Sequence, residues 1–156
     1  MVSVSTAGGK FAICDGPALP CGDGGGPPAI IDLLAACYAA AAVVRRATQA
    51  ELPSPLRLPI EVDLAELLGG DVACVESAVE LDTIFMAGAG AVGNGVLLGL
   101  STLDVRGVLH ICDPDAVSAG NLSRCVWFTP EDGGTPKVLQ LVERAQEHLP
   151  LLQLVA

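Results

Sequence analysis

Thr83-Ile84-Phe85-Met86-Ala87-Gly88-Ala89-Gly90-Ala91-Val92-Gly93-Asn94 is the stretch on which the fold turns. Thr83 to Ala87 is a short apolar run, as a buried strand requires, and it stops at glycines. Asn94 to Leu103 is predicted as an amphipathic helix. Val108 to Cys112 is a second apolar run, ending at Asp113. Strand, glycine turn, helix, strand is the opening of a doubly wound α/β sheet. A further helix is predicted over Thr135–His148, with Pro136 in its first turn and Pro150 closing it. Leu151 to Val155 then reads as a third strand.

The glycines have separate physical uses. Gly88 permits a tight turn, Gly90 lets the backbone approach a phosphate, and Gly93 lets the helix pack closely on the strand. The helix start then offers unpaired N–H groups and partial positive charge to an anion. Asp113 lies twenty residues beyond Gly93, at the end of the second strand, where a carboxylate can accept from ribose hydroxyls. The competing reading of the loop alone is a turn that merely packs.

Loop and acid do not separate NAD from ATP. The residues that follow do. Asp113-Pro114-Asp115-Ala116-Val117 leads into Asn121-Leu122-Ser123-Arg124, and then to Gly134-Thr135-Pro136-Lys137. A dehydrogenase has no need of a cation pair just after the ribose acid. Chemistry at the phosphates of ATP does, because charge develops on phosphoryl oxygens and on leaving pyrophosphate. The chain has 8 Lys+Arg against 18 Asp+Glu, so cations placed here carry weight.

Composition excludes other classes. Of 156 residues, 51% are hydrophobic and 17% charged, which argues against intrinsic disorder. A net charge of -10 opposes non-specific nucleic-acid binding, which needs clustered cations. Five aromatics give little base-stacking surface. The most apolar stretch, Leu33 to Val44, is 12 residues against the ~20 that a membrane helix needs. No secretory signal opens the chain, so a cytoplasmic location with reduced cysteines is expected.

Residues 1–80 form a mixed N-terminal segment of unassigned role. Phe11 to Cys14 is a possible strand. Pro27-Pro28 opens an Ala-rich helix over 29–48, with Asp32 and Arg45-Arg46 matched to its dipole. Leu56 to Asp63 alternates as an edge strand would, Leu64 to Leu68 is one helical turn, and Val72 to Val75 is a second possible strand. Lys10 follows Gly8-Gly9 but precedes no Ser or Thr, which excludes a Walker phosphate loop.

The four linked motifs, GxGxxG, DxDxV, NLxR and GxxK, resemble those of the ThiF and MoeB adenylyltransferases, relatives of ubiquitin-activating enzymes. The resemblance covers Thr83 to Ala156. It implies that residues 81–156 are the first half of a nucleotide-binding domain with an incomplete Rossmann-like sheet. It implies that Gly88, Gly90 and Gly93 shape the phosphate loop, and that Asp113 holds the ribose. It implies further that Asn121, Arg124 and Lys137 contact the phosphates of ATP, and that Arg124 and Lys137 stabilise the transition state. The implied reaction activates the C-terminal carboxylate of a ubiquitin-like or sulfur-carrier protein, with ATP and Mg²⁺, in a full-length homodimer. The family's magnesium-binding Asp, zinc-binding cysteine pairs and thioester cysteine are expected beyond Ala156, so this chain alone is expected to be an inactive fragment. No arginine of residues 1–80 maps onto the family's N-terminal arginine. Cys125, His110 and His148 read as structural. Two alternatives stay open: a non-catalytic interaction subunit of the same fold, and an NAD-dependent oxidoreductase.

Overall fold

The computed structural model describes residues 1–20, 28–48, 51, 57–70 and 77–156. The chain divides into two compact units, Met1–Glu76 and Ser77–Ala156. The possible strand over Val72–Val75, and Pro27, lie outside the described residues.

In the first unit, β1 (Val2–Ala7) and β2 (Lys10–Asp15) form an antiparallel hairpin. Gly8, at φ +51°, supplies the left-handed turn residue. After α1 (Ala29–Ala47), β3 (Ile60–Asp63) pairs with β2, giving the order β1-β2-β3. β3 is thus an edge strand, as its alternation predicts, and its exposed Glu61 suits an edge. Ile31, Ala35 and Ala42 of α1 are buried in one core with Phe11 and Ile13 of β2. The small alanines let the helix approach closely. The short α2 (Leu64–Leu68) starts where Asp63 accepts from the Ala65 N–H at 2.9 Å, and ends at Gly69 in the left-handed conformation.

The second unit is a parallel sheet. β4 (Val79–Ala87), α3 (Ala91–Leu100), β5 (Val105–Cys112), α4 (Lys137–Ala145) and β6 (Leu152–Val155) follow in chain order. The strand order is β4-β5-β6, with Ile84 beside Leu109 and Leu109 beside Leu154. This stepwise order, with a helix in each connection, is Rossmann-like. Leu97 of α3 and Leu141 and Ala145 of α4 are fully buried in the core with Leu109, Ile111, Leu152 and Leu154. Burial alternates along the strands, so the opposite face carries Phe85, 79% exposed, with Thr83, Ala87 and Cys112 also exposed. His110 shares that face, half-buried and stacked on Phe85 with ring centroids 5.0 Å apart. It is a strand residue as expected, but not a buried one.

Several boundaries differ from the sequence reading. α3 begins three residues earlier than Asn94, because the glycine turn runs straight into the helix. It ends at Leu100 because Ser101 and Thr102 turn their hydroxyls onto the carbonyls of Leu98 and Gly99 at 2.8 and 2.7 Å. The predicted helix over 135–148 is α4 continued by a 3-10 turn, Gln146–His148. β4 also starts earlier, with a register shift between Glu80 and Thr83. There Asp82 sits at φ 49° and Gly107 at φ +124°, and a Cβ on Gly107 would lie 2.6 Å from the Asp82 carbonyl.

A polar brace holds the loop before α4. Asp132, buried, accepts from Arg144 at 2.7 Å and from the Thr129 N–H at 2.7 Å. The Arg144 guanidinium, and then the Thr129 N–H, hold the Asp132 carboxyl below its ordinary pKa. Such a group stabilises above the unfolded carboxylate pKa and loses that contribution as pH falls through its folded value. Arg144→Met is therefore expected to lower the thermal midpoint most near neutral pH, with the gap from the unaltered chain closing below about pH 4. A gap independent of pH would mean that Arg144 acts by packing alone.

Candidate functional site

The glycine loop is held by its backbone. Gly88, at φ +103°, donates its N–H to the Cys112 carbonyl at 2.7 Å, which closes the loop onto the end of β5. The buried Ala89 donates its N–H to Asp113 Oδ2 at 2.7 Å. Gly90 stands immediately before α3. A Cβ built on Gly93 would lie 2.3 Å from the Gly88 carbonyl oxygen, so only glycine fits. Gly90 is different: its φ of -81° suits any residue, and a Cβ there would meet nothing within 4 Å. Neither conformation nor packing asks for glycine at that point.

Asp113 is the hub between loop and strand. Besides Ala89, the Asp115 N–H donates to its Oδ1 at 2.8 Å. Partial burial is the strongest single influence and pushes its pKa up. The two backbone donors and the nearby Lys137 charge together outweigh it, and the carboxyl lies below its ordinary value. Each oxygen keeps a second lone pair for a further donor.

The DxDxV and GxxK motifs are joined in space. The Val117 N–H donates to the Thr135 carbonyl, Gly134 to Val117, and Lys137 to Asp115, at 2.8, 2.9 and 2.9 Å. This short ladder delivers the Lys137 ammonium to Asp115 Oδ2 at 2.7 Å. The Lys137 side chain is 9% exposed and that of Asp115 66%. The Asp115 hydrogen bond is the main reason that the Lys137 pKa stands above its ordinary value. The same ammonium also feels the Asp113 charge.

Asn121 is buried, and its amide oxygen accepts from the Ser118 N–H and hydroxyl at 2.8 and 3.0 Å. Its carbonyl accepts from Arg124 and Cys125, which fixes a compact turn. The Arg124 side chain is exposed and lies back on the Gly120 carbonyl at 2.5 Å. Among the described residues it makes no hydrogen bond or ion pair with another site residue. Cys125 is 2% exposed within the core, in keeping with a packing role. Thus Gly88, Gly90, Gly93 and Asp113 form one knot, and Lys137 stands beside it with Asp115. Among the described residues no group of three His, Cys, Asp or Glu side chains could hold a metal. These residues do not by themselves build a Mg²⁺ site.

Sequence reasoning missed Asn94, which is fully buried. Its Nδ2 donates to the carbonyls of Ala89 and Gly90, both at 3.0 Å, and its Oδ1 accepts from the Trp127 N–H at 3.1 Å. The signal was available: Asn94 is the one polar side chain in a helix otherwise made of Gly, Ala, Val and Leu.

A parallel α/β sheet with a glycine turn clamped to an acid at the end of the second strand defines a Rossmann-like module. Residues 75–156 match the ThiF family. That match covers more than half of the chain, and the chain belongs to this family. It is 34% identical over 73 residues to the human ubiquitin-like modifier-activating enzyme 6, covering 44% of this chain and 7% of that protein. Similar solved structures include E. coli MccB with ATP, at 24% identity and TM-score 0.44, covering 48% of this chain and 22% of that one. The microcin C7 biosynthetic enzyme MccB with N-formylated MccA, at 23% identity, has the same TM-score and coverage. The chain therefore spans a small fraction of the length of each relative.

Proposed function

We propose that residues 77–156 bind ATP as the nucleotide-binding part of an adenylyltransferase that activates a carboxylate on a peptide or ubiquitin-like protein. The observation that carries this reading is Gly90. It is a glycine that the fold does not need, beside open space at the start of α3. Asp113 belongs to the same knot and Lys137 stands beside it. Family membership and the name of the human relative favour the same chemistry.

In this reading the N–H groups at the start of α3 receive the phosphates, and Asp113 accepts the ribose hydroxyls with its remaining lone pairs. Asn121 has its oxygen engaged and offers its NH₂ group. A carboxylate oxygen of the acceptor attacks the α-phosphorus, the bond to the bridging oxygen breaks, and pyrophosphate leaves. Lys137 is already set in place by Asp115, whereas Arg124 leaves Gly120 to reach the developing charge. No step is assigned to Mg²⁺. A ubiquitin-like or sulfur-carrier acceptor, a homodimeric full-length protein and a cytoplasmic setting belong to this proposal. No helix among the described residues is long and apolar enough to cross a membrane.

Calorimetric titration of the chain with ATP and with NAD tests it. ATP is expected to bind the more tightly, by roughly tenfold, because Lys137 and Arg124 serve a triphosphate. Tighter NAD binding would overturn the reading.

A further inference from the structure

The buried amide of Asn94 occupies a position from which it sets the direction of the loop's donors. Its Nδ2 holds the carbonyls of both Ala89 and Gly90 at 3.0 Å. A trans peptide is planar, with C=O and N–H pointing in opposite directions. The Ala89 carbonyl shares its peptide with the Gly90 N–H, and the Gly90 carbonyl with the Ala91 N–H. Pinning the Ala89 carbonyl toward Asn94 therefore turns the Gly90 N–H away from it, while the Gly90 carbonyl is held by the Asn94 backbone N–H as well, at 2.9 Å. Asn94 also reaches the segment that carries Arg124. Its Oδ1 accepts the Trp127 N–H and its backbone carbonyl accepts the Trp127 indole N–H, both at 3.1 Å. Trp127 lies three residues after Arg124 and is the only tryptophan in the chain.

We infer that Asn94 is a positioning residue that aims the Gly90 N–H group at a phosphate and registers the glycine loop against the Arg124 segment. This rests on the ATP-binding reading above. An apolar residue at this point would leave the Ala89 carbonyl without its donor, while the Gly90 carbonyl would keep the backbone N–H of residue 94 at 2.9 Å. An isosteric carboxylate would still accept from Trp127 but would face two carbonyl oxygens with an acceptor, which favours a turned peptide.

The test titrates the full chain and its N94D variant with ATP and with adenosine, beside circular dichroism and thermal melts. The loop donors serve phosphates and not the nucleoside. N94D is therefore expected to bind ATP roughly tenfold more weakly or worse, with adenosine affinity unchanged within about twofold. N94S, whose hydroxyl can donate to one carbonyl, is expected to fall between, and serves if N94D does not fold. In the unaltered chain, ATP but not adenosine is expected to shift the Trp127 emission. A folded variant that binds ATP normally, a parallel loss of ATP and adenosine, or ATP binding that leaves Trp127 emission unmoved would each overturn the inference. Failure of the unaltered chain to bind ATP would remove the nucleotide reading itself, and the inference with it.

Discussion

Gly93→Ala is expected to destabilise the 77–156 unit by about 3 kcal/mol, the upper end for an overpacked site. The added Cβ would stand 2.3 Å from the Gly88 carbonyl oxygen and 3.3 Å from the Met86 methyl group. The methyl can move, but the carbonyl cannot do so cheaply. Gly88 is bonded through its N–H to Cys112, and the adjacent Ala89 through its N–H to Asp113. Relief requires α3 to slide off β4, which opens a core that includes the fully buried Leu97. For a unit of this size the thermal midpoint should fall by ~15 °C, read from Trp127 fluorescence. Gly90→Ala is the matched control. It should leave the midpoint unchanged and weaken ATP binding, because its methyl would enter only the open side of the loop. Equal midpoints for the two variants would mean that helix and strand approach less closely than this geometry requires.

The contrast between these glycines shows what the sequence could and could not disclose. The pattern of Gly88, Gly90 and Gly93 identified strand, turn and helix, because spacing encodes a turn followed by close packing. The parallel pairing of β4, β5 and β6 follows from connections that each contain a helix. What spacing cannot encode is which partner satisfies a given polar group. Asp113 was legible as an acid at a strand end, but not as the acceptor for Ala89 and Asp115. Lys137 was legible as a rare cation, but its seat beside Asp115 depends on the ladder between residues 115–117 and 134–137. Arg124 was legible as a rare cation, but not its rest on the Gly120 carbonyl of its own turn. Asn94 stood out as the lone polar side chain of an apolar helix, but its partners at Ala89, Gly90 and Trp127 are not encoded in spacing. Gly107 escaped because its need arises from the bulge at Asp82 on the neighbouring strand.

Asp113→Ala is expected to weaken ATP binding by between roughly tenfold and a hundredfold, the scale of charge-assisted hydrogen bonds lost to a ligand. Asp115→Ala should weaken it much less. Two effects combine in the first variant. The ribose loses its acceptor, and the Ala89 N–H loses the carboxylate that holds the loop to β5. The ribose is common to ATP and adenosine, so Asp113→Ala should weaken both, whereas N94D should weaken ATP alone. Because donors hold the Asp113 carboxyl below its ordinary pKa, its part in binding should not titrate away until the pH falls below about 4. Asp115→Ala acts elsewhere. It strips the partner from Lys137, a nearly buried ammonium whose pKa that partner raises. A raised ammonium pKa stabilises the fold below the unfolded lysine value and loses that contribution as pH rises through the folded value. The destabilisation by Asp115→Ala should therefore be seen at pH 7 and shrink above about pH 10.4. Its effect on ATP should stay small, since the freed ammonium can turn to the phosphates instead. Calorimetry with both nucleotides and melts at two pH values separate these outcomes. Equal losses of ATP affinity in the two folded variants would place the ribose contact elsewhere than Asp113.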